Sequence, residues 1–538
     1  VTFQAGALNL AGPGYSARLD NVTMLNSVST GDHTTSSLRL SAQRVHVTNS
    51  RFTGPDPLCT GDQPVVWQST LCSEALYENC AFTSTRLNSL AFAFENSTGV
   101  TTFSNCTFSA GSPGGYVLDF EGLSLSGTVR FVNCRIINTG GFAVVRARPV
   151  TGTVIFEDCL LYGVGSPNGI AVGAQRVAVF APLAAAKVVV KSCSATVQET
   201  DFTGILRPLV RLGGSETGAC EGTLKVDGFD LVLAGASATL PASACVQMLG
   251  SATCTYANVM VDVAGKQAPA VTNASVDGGP GYVFVGGGAS SSMPLRLRNL
   301  YVKNADAPFV THTLTCVAGW LYLQRCDLDG FQVSTVAVPS ANTFRTNPVH
   351  LFGSTVRNAR LKLFSTSTGW AAVRLESIDA GQPSLFTESR LFSAAVAGGV
   401  DLGHLFHLDG GTVSNTVMRD PTLLACDYLF ILNATLGTHN TIDANDIRVS
   451  TDTKFFTTVF SPDSNGLRVV NNQIAASVAA GAFFNAPSTL DGFIMTGNRL
   501  MTTGATAAGC TPNPSTVVAN ALTAISNNTF SITLIAPS

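Results

Sequence analysis

The chain has 538 residues, 45% of them hydrophobic and only 12% charged, and its 31 Lys and Arg against 34 Asp and Glu leave a formal net charge of -3. Disordered chains combine high charge with low hydrophobicity, whereas this one falls far below the about 25% charged residues of an average globular protein, so disorder is excluded. No cluster of Lys or Arg offers a footprint for nucleic acid or anionic lipid.

The mean hydropathy of +0.28 points toward a membrane. The longest stretch without a charge, 231–261, nevertheless contains Pro241, Gln247 and Asn258 among many Ser, Thr and Ala. It lacks the roughly 20 apolar residues of a spanning helix. The opening VTFQAGALNL has neither the basic nor the apolar region of a signal peptide. The expectation is a mature product or an excerpt of a longer chain. Length alone suggests roughly three or four domains. No linker or lasting shift in composition separates them, so a single continuous domain over 1–538 is expected, with an insertion or irregular coils placed within 194–325.

In chain order, a five-residue phrase recurs: ENCAF at 78–82, SNCTF at 104–108, VNCRI at 132–136 and EDCLL at 157–161. Taking its central residue as an anchor and extending the pattern gives Asn26, Ser50, Cys80, Cys106, Cys134, Cys159, Cys193, Asp227, Asn258, Asn299, Cys326, Ala359, Ser389, Thr416, Asn445, Asn472, Asn498 and Asn528. A period of about 30 residues signals a solenoid, a propeller or an array. The segments TVRFVNCRI (128–136), TVIFEDCLL (153–161), KVVVKSC (187–193), WLYLQRCDL (320–328) and GLRVVNNQI (466–474) are short and rich in Val, Ile, Phe and Thr, which reads as strand. Helical repeats need longer stretches of apolar spacing three and four, and the frequent Gly, Asn, Ser, Thr and Pro disfavour them.

About 30 residues give room for three short strands and three turns, one coil of a right-handed parallel β-helix, against the about 40 to 45 of a propeller blade. The predicted fold is all-β, a solenoid of about 18 coils. Residues two apart on a strand share a face, so an anchor and the apolar residue after it both point inward, and stacking about 4.8 Å apart puts like over like. Asn445, Asn472, Asn498 and Asn528 are expected to form an inward asparagine ladder. Charge is scarce because an unpaired Lys or Glu inside would be expensive.

These rungs, built on the NC and NN phrases, resemble the right-handed parallel β-helix of the pectin-lyase-like superfamily over nearly the whole chain. Repeats of the VNCRIINTGG and LRVVNNQI kind are similar in flavour to giant surface β-helix proteins of protists, such as the dispersed gene family proteins of trypanosomes.

The fourteen cysteines contain no CxxC, which disfavours zinc and thioredoxin-like readings, and their even number in a low-charge chain suits an oxidising compartment. Cys245 with Cys254 and Cys316 with Cys326 are the local pairs, and Cys59 with Cys72 or Cys80 would staple a loop. Stacked anchors Cys80 with Cys106 and Cys134 with Cys159 also come within disulfide reach. The alternative is a ladder of free thiols acting as small buried hydrophobes. Sequons place N-linked glycans at Asn21, Asn96, Asn105, Asn273, Asn433 and Asn527. Asn105 and Asn527 directly precede an anchor, so alternation points them outward.

Extracellular β-helix enzymes work with clustered carboxylates and bases. The resemblance implies motifs that this chain lacks: no two aspartates are adjacent, the nearest approach to GHG is Gly403-His404-Leu405, and Arg207 to Arg211 echoes RxPxxR only with its proline displaced. No catalytic residue, metal ligand or cofactor is therefore assigned. The residual candidates are Asp327 and Asp329, which share a strand face and could hold Ca2+; Asp443 with Asp446; His404, His407 and Asp409; and Asp32 with His33. For each, an ordinary solvated face or turn is the plainer reading. His404 and His407 fall on opposite sides of a strand.

Solenoids without catalytic groups serve as scaffolds or binding surfaces. The expected function is a non-catalytic extracellular or cell-surface protein, structural or adhesive: a coat, an adhesin or a filament subunit. Its partners would be N-linked glycans, a carbohydrate or cell-surface ligand, and further copies joined end to end or a continuation of the same chain. The alternatives are a divergent polysaccharide lyase or glycoside hydrolase, and a carbohydrate-binding surface, for which only Trp67, Trp320, Trp370 and nine Tyr are available.

Overall fold

The computed structural model describes residues 2–4, 8–25, 38–54, 66–68, 72–84, 92–94, 99–111, 115–141, 143–164, 176–198, 208–213, 220–235, 245–249, 253–262 and 283–286 in the first half. In the second it describes 295–303, 314–317, 321–329, 331–334, 349–363, 371–378, 383–393, 400–420, 423–433, 439–452, 454–458, 467–477, 484–485, 490–491, 494–503, 517–518 and 524–533. The described elements are strands, and among the described residues no helix is long and apolar enough to cross a membrane. Strand pairs run parallel throughout, coil upon coil, which is a parallel β-solenoid.

Two compact units are formed, one by Val1–Ala289 with Tyr301–Phe309 and the other by Ser290–Leu300 with Val310–Ser538. The exchange lies inside the stretch 194–325, where the repeat is least regular in sequence. In the first unit nine strands stack in one sheet: Leu8–Asp20, Leu38–Thr48, Glu74–Glu78, Val100–Ser104, Ser124–Val132, Thr151–Glu157, Lys187–Gln198, Thr223–Ala234 and Cys254–Asp262. In the second, eight levels stack, from 295–298 through Leu321–Gln324, Val349–Phe352, Ala371–Glu376, Val400–Asp409, Leu423–Asn433 and Lys454–Thr458 to Phe484–Asn485. Among the described residues each unit is thus a parallel β-solenoid of eight or nine levels, a different coil count from the about 18 expected for the chain.

The anchor phrase turns out to be a corner between two strands. The residue before the inward anchor takes a left-handed conformation, with φ between 48° and 55° at Asn21, Asn49, Asn79, Asn105, Asn133 and Asp158. Asn and Asp tolerate this region better than other residues with a side chain, which is why the phrase carries them there. These exposed side chains also reach from coil to coil, Asn133 Nδ2 donating to Asn105 Oδ1 at 2.7 Å. Replacing Asn133 by Gly is expected to leave the melting temperature unchanged or slightly raised, because glycine pays nothing for positive φ. Asn133→Val should destabilise by about 1 to 2 kcal/mol. Equal melting temperatures for the two variants would show that the corner carries no such preference.

Several anchors read from the period sit elsewhere. Val22, not Asn26, lies under Ser50, and Asn26 is outside the described residues. Gly228 (φ 91°) takes the left-handed seat after Asp227, where a Cβ would come within 2.9 Å of the Ser192 main chain, so Phe229 stacks on Cys193. Asn258 is itself left-handed and exposed, and Val259 is the inward residue. From Ala359 onward the anchor series belongs to a different corner from the one holding Cys326, whose neighbours one and two coils on are Ser354 and Ser384.

The first unit's interior is a set of stacked ladders. Tyr77, Phe103, Phe131 and Phe156 stack at 4.6, 5.0 and 5.0 Å, and Phe52, Phe82 and Phe108 at 5.6 and 5.0 Å. Edge-to-face contacts such as Phe103 with Phe108 join the two stacks, a favourable geometry for aromatic rings.

Candidate functional site

One rule governs the corner ladders. A corner bends the chain away from its neighbour, so the anchor's own N–H needs a partner, and the anchor side chain one coil on accepts it. Val22 N–H donates to Ser50 Oγ at 3.1 Å, Cys326 N–H to Ser354 Oγ at 3.0 Å and Ala359 N–H to Ser389 Oγ at 3.0 Å. The sulfur of Cys106 takes the N–H of Cys80, and the sulfur of Cys134 that of Cys106. Ser, Cys and Asn are interchangeable here because each carries an acceptor at about the same reach.

The cysteine ladder runs Cys80, Cys106, Cys134, Cys159 and Cys193, all buried. These five, with Cys72, Cys220, Cys245, Cys254, Cys326 and Cys426, form no disulfide. The Cys106 thiol donates to Tyr77 O at 3.4 Å and Ser104 O at 3.3 Å, and Cys134 and Cys159 repeat the pattern. The hydrogen bond with Cys106, together with burial, pushes the Cys134 thiol up to about 12. Such thiols stay protonated at neutral pH and are not nucleophiles. Cys254 meets Cys220 one coil back, while Cys245 directly precedes the strand Val246–Leu249 of a different sheet. Cys72 donates to Glu74 O at 3.5 Å. Cys316 lies in the strand Leu314–Val317, and Cys59 is outside the described residues.

In the second unit Asn445, Asn472 and Asn498 are buried and Asn528 is half-buried. Each Nδ2 donates to the next Oδ1, at 2.9, 2.9 and 2.8 Å, and each of these Oδ1 atoms also takes the preceding anchor's N–H at 3.0 Å. Among the sequons, Asn21, Asn105 and Asn527 occupy exposed left-handed corners. Asn433 ends the strand Leu423–Asn433, and Asn96 and Asn273 are outside the described residues.

The carboxylate candidates are dispersed. Asp327 and Asp329 flank buried Leu328 and pair in register with Thr355 and Arg357. Asp443 and Asp446 fall on strands of different sheets, and Asp446 is taken by Arg448 at 2.9 Å. Asp32 and His33 are outside the described residues.

The strand Val400–Asp409 is unbroken, so His404 shares a face with Phe406 and Leu408, while His407 and Asp409 lie on the opposite face, where Asp409 is itself buried. That opposite face carries a set of ionisable groups from three successive coils. His350, Arg374 and His407 stand in register on three successive coils, and Phe352, Glu376 and Asp409 form the adjacent row. Glu376 Oε2 accepts from His350 Nε2 at 2.8 Å and from Arg374 Nη2 at 3.2 Å. The His350 hydrogen bond, then the Arg374 charge, holds its carboxyl below the usual range. Burial, reinforced by the Arg374 charge, pushes His407 down to about 4, and burial alone does the same to His404.

Two donors in this cluster are uncommitted. Arg374 Nε and His407 Nε2 are buried and have no hydrogen-bond partner. On the first unit's outer face Glu157 accepts from Arg130 at 2.5 Å and Lys191 at 2.7 Å, and Glu121 from Arg148 at 2.8 Å, while Arg148 Nε is likewise buried without a partner. Sequence reasoning singled out His407 and Asp409 but missed His350, Arg374 and Glu376. The usable signal was the aligned strand phrases VHLF, VRLE and LFHLD, each with a charge between apolar residues.

Comparison with known proteins finds no matching family model, no matching curated protein and no matching solved structure.

Proposed function

We propose that the chain is a non-catalytic extracellular or cell-surface β-solenoid, a structural or adhesive scaffold of the coat, adhesin or filament kind, bearing N-linked glycans. The observation that carries this reading is the position of the sequon asparagines Asn21 and Asn105 at exposed corners of the first unit. A glycan on Asn105 Nδ2 leaves Oδ1 free to keep the 2.7 Å hydrogen bond from Asn133, so modification and folding are compatible. The polar ladders support the same reading, since they join coil to coil and leave the side chains at the corners to face solvent. Mass spectrometry of native material is expected to find Asn105 and Asn21 glycosylated, and Asn105→Gln to remove one glycan without loss of fold. Finding both asparagines unmodified on protein from its native source would sink the proposal.

A second reading, a divergent polysaccharide lyase or hydrolase, is favoured by one observation: His350, Arg374, Glu376 and His407 converge on one outer face. It requires cleavage of an acidic or neutral polysaccharide that Glu376→Gln abolishes. If the unaltered chain cleaves no such polymer, this reading is rejected.

A further inference from the structure

The uncommitted donors on the outer face of the second unit belong to neighbouring coils at the same register position, Arg374 on Ala371–Glu376 and His407 on Val400–Asp409. A buried polar nitrogen without a partner is costly, so two of them on neighbouring coils mark a place that something else fills. Neither group satisfies the other. Arg374 has committed Nη2 to Glu376, and its Nε is buried without a partner. The approach is half open: His350, Arg374 and Glu376 retain about a quarter of their side-chain exposure, at 21%, 25% and 26%, while Ala372, Leu405 and Leu429 beside them are buried.

We propose that Arg374 and His407 form an oxyanion-binding site, with an oxygen of a carboxylate or sulfate group accepting from Arg374 Nε and His407 Nε2. Arginine forks match such groups geometrically, and a charge-assisted hydrogen bond in a desolvated place is stronger than a neutral one. The charged and titratable groups around His407 are Arg374 and Glu376 on one neighbouring strand, His350 one coil further and Asp409 on its own strand, with His404 acting on it from the opposite face. The other neighbour, Leu423–Asn433, places Ile431 and Asn433 in register with His407 and Asp409 and carries one further acidic residue, Asp427, four positions before Ile431. Two carboxylates and one arginine leave no net positive charge to spare, so an anion is held best when His407 takes up a proton. Binding is therefore coupled to proton uptake and tightens as pH falls toward the histidine range. The site goes beyond the scaffold reading and does not depend on whether the chain is catalytic.

The test is calorimetry on the full chain with two probes, inorganic sulfate and a hexuronate oligosaccharide, in buffers of different ionisation heat. Binding with net proton uptake is expected, about tenfold tighter near pH 5.5 than near pH 7.5. Arg374→Lys keeps the charge but loses the Nε donor and should weaken binding about tenfold, and His407→Gln should remove the proton uptake while retaining weak binding. Circular dichroism establishes that both variants are folded, and His46→Gln in the first unit should bind as the unaltered chain does. Tighter binding of the oligosaccharide identifies the acidic group of a glycan as the ligand, and equal binding of both probes a free oxyanion. Absence of binding by either probe at millimolar concentration, or binding indifferent to both substitutions, overturns the proposal.

Discussion

Asn472→Ala is expected to destabilise the second unit by about 3 to 5 kcal/mol, more than Asn528→Ala on the half-buried last described rung. Asn472 Oδ1 accepts both the main-chain N–H and the Nδ2 of Asn445, and its own Nδ2 donates to Asn498 Oδ1, Ile442 O and Val470 O. Truncation leaves the buried Asn445 N–H without an acceptor and opens a void between two filled rungs. Each unsatisfied buried group costs about 1 to 3 kcal/mol, and the void adds to it. Asn472→Ser should cost clearly less, because Ser389 shows that a hydroxyl can take the preceding N–H. Asn528→Ala should also cost less, since that rung is half-buried. Denaturant midpoints of the three variants decide the matter. If Asn472→Ala proves no more damaging than Asn528→Ala, the ladder is not what holds these coils in register.

Acidification below neutrality is expected to weaken the second unit well before its carboxylates titrate. His404 and His407 are held neutral down to about 4 in the folded chain, chiefly by burial, whereas an unfolded histidine titrates near 6.5. A depressed histidine means that the unfolded state binds protons the folded state refuses. Stability is then complete above about pH 6.5 and falls as pH drops toward 4. At 1.36 kcal/mol per pH unit, each histidine accounts for a loss of about 3 kcal/mol across that window. Glu376 acts lower: its folded value is depressed, so its contribution is present above the unfolded carboxylate range and disappears as pH falls through the folded value. Urea midpoints at neutral pH and near pH 4.5 provide the measurement, with His404→Leu and His407→Gln expected to flatten the dependence. An unaltered chain equally stable at both pH values would contradict the burial of these two rings.

Much of the architecture was legible in the residues. The NC and NN phrases, the near absence of charge and the strand-like segments pointed to a stacked parallel solenoid, and the asparagine positions of the last four coils are the rungs seen in the structure. The anchor positions were less so. The period fixes how often a corner comes but not which of two corners is read, so Cys326 and Ala359 were placed in one series although they stand at different bends. At Gly228 the left-handed seat passed to glycine, and the phrase no longer marked the inward residue.

The candidate site was only partly legible. His407 and Asp409 stood out because they are two apart in sequence, but His350, Arg374 and Glu376 lie one and two coils away, and single charges on apolar strands look like ordinary surface. By itself the sequence determined the coil: alternation chose the inward face, and Asn and Asp marked where the chain turns left-handed. Tertiary structure alone decided which coils lie in register and which outer faces are closed to water. Register brings residues about 30 apart within about 4.8 Å of each other. Closure is what turns Arg374 and His407 from exposed charges into buried donors without partners, because only a group cut off from water needs a protein or a ligand to replace it.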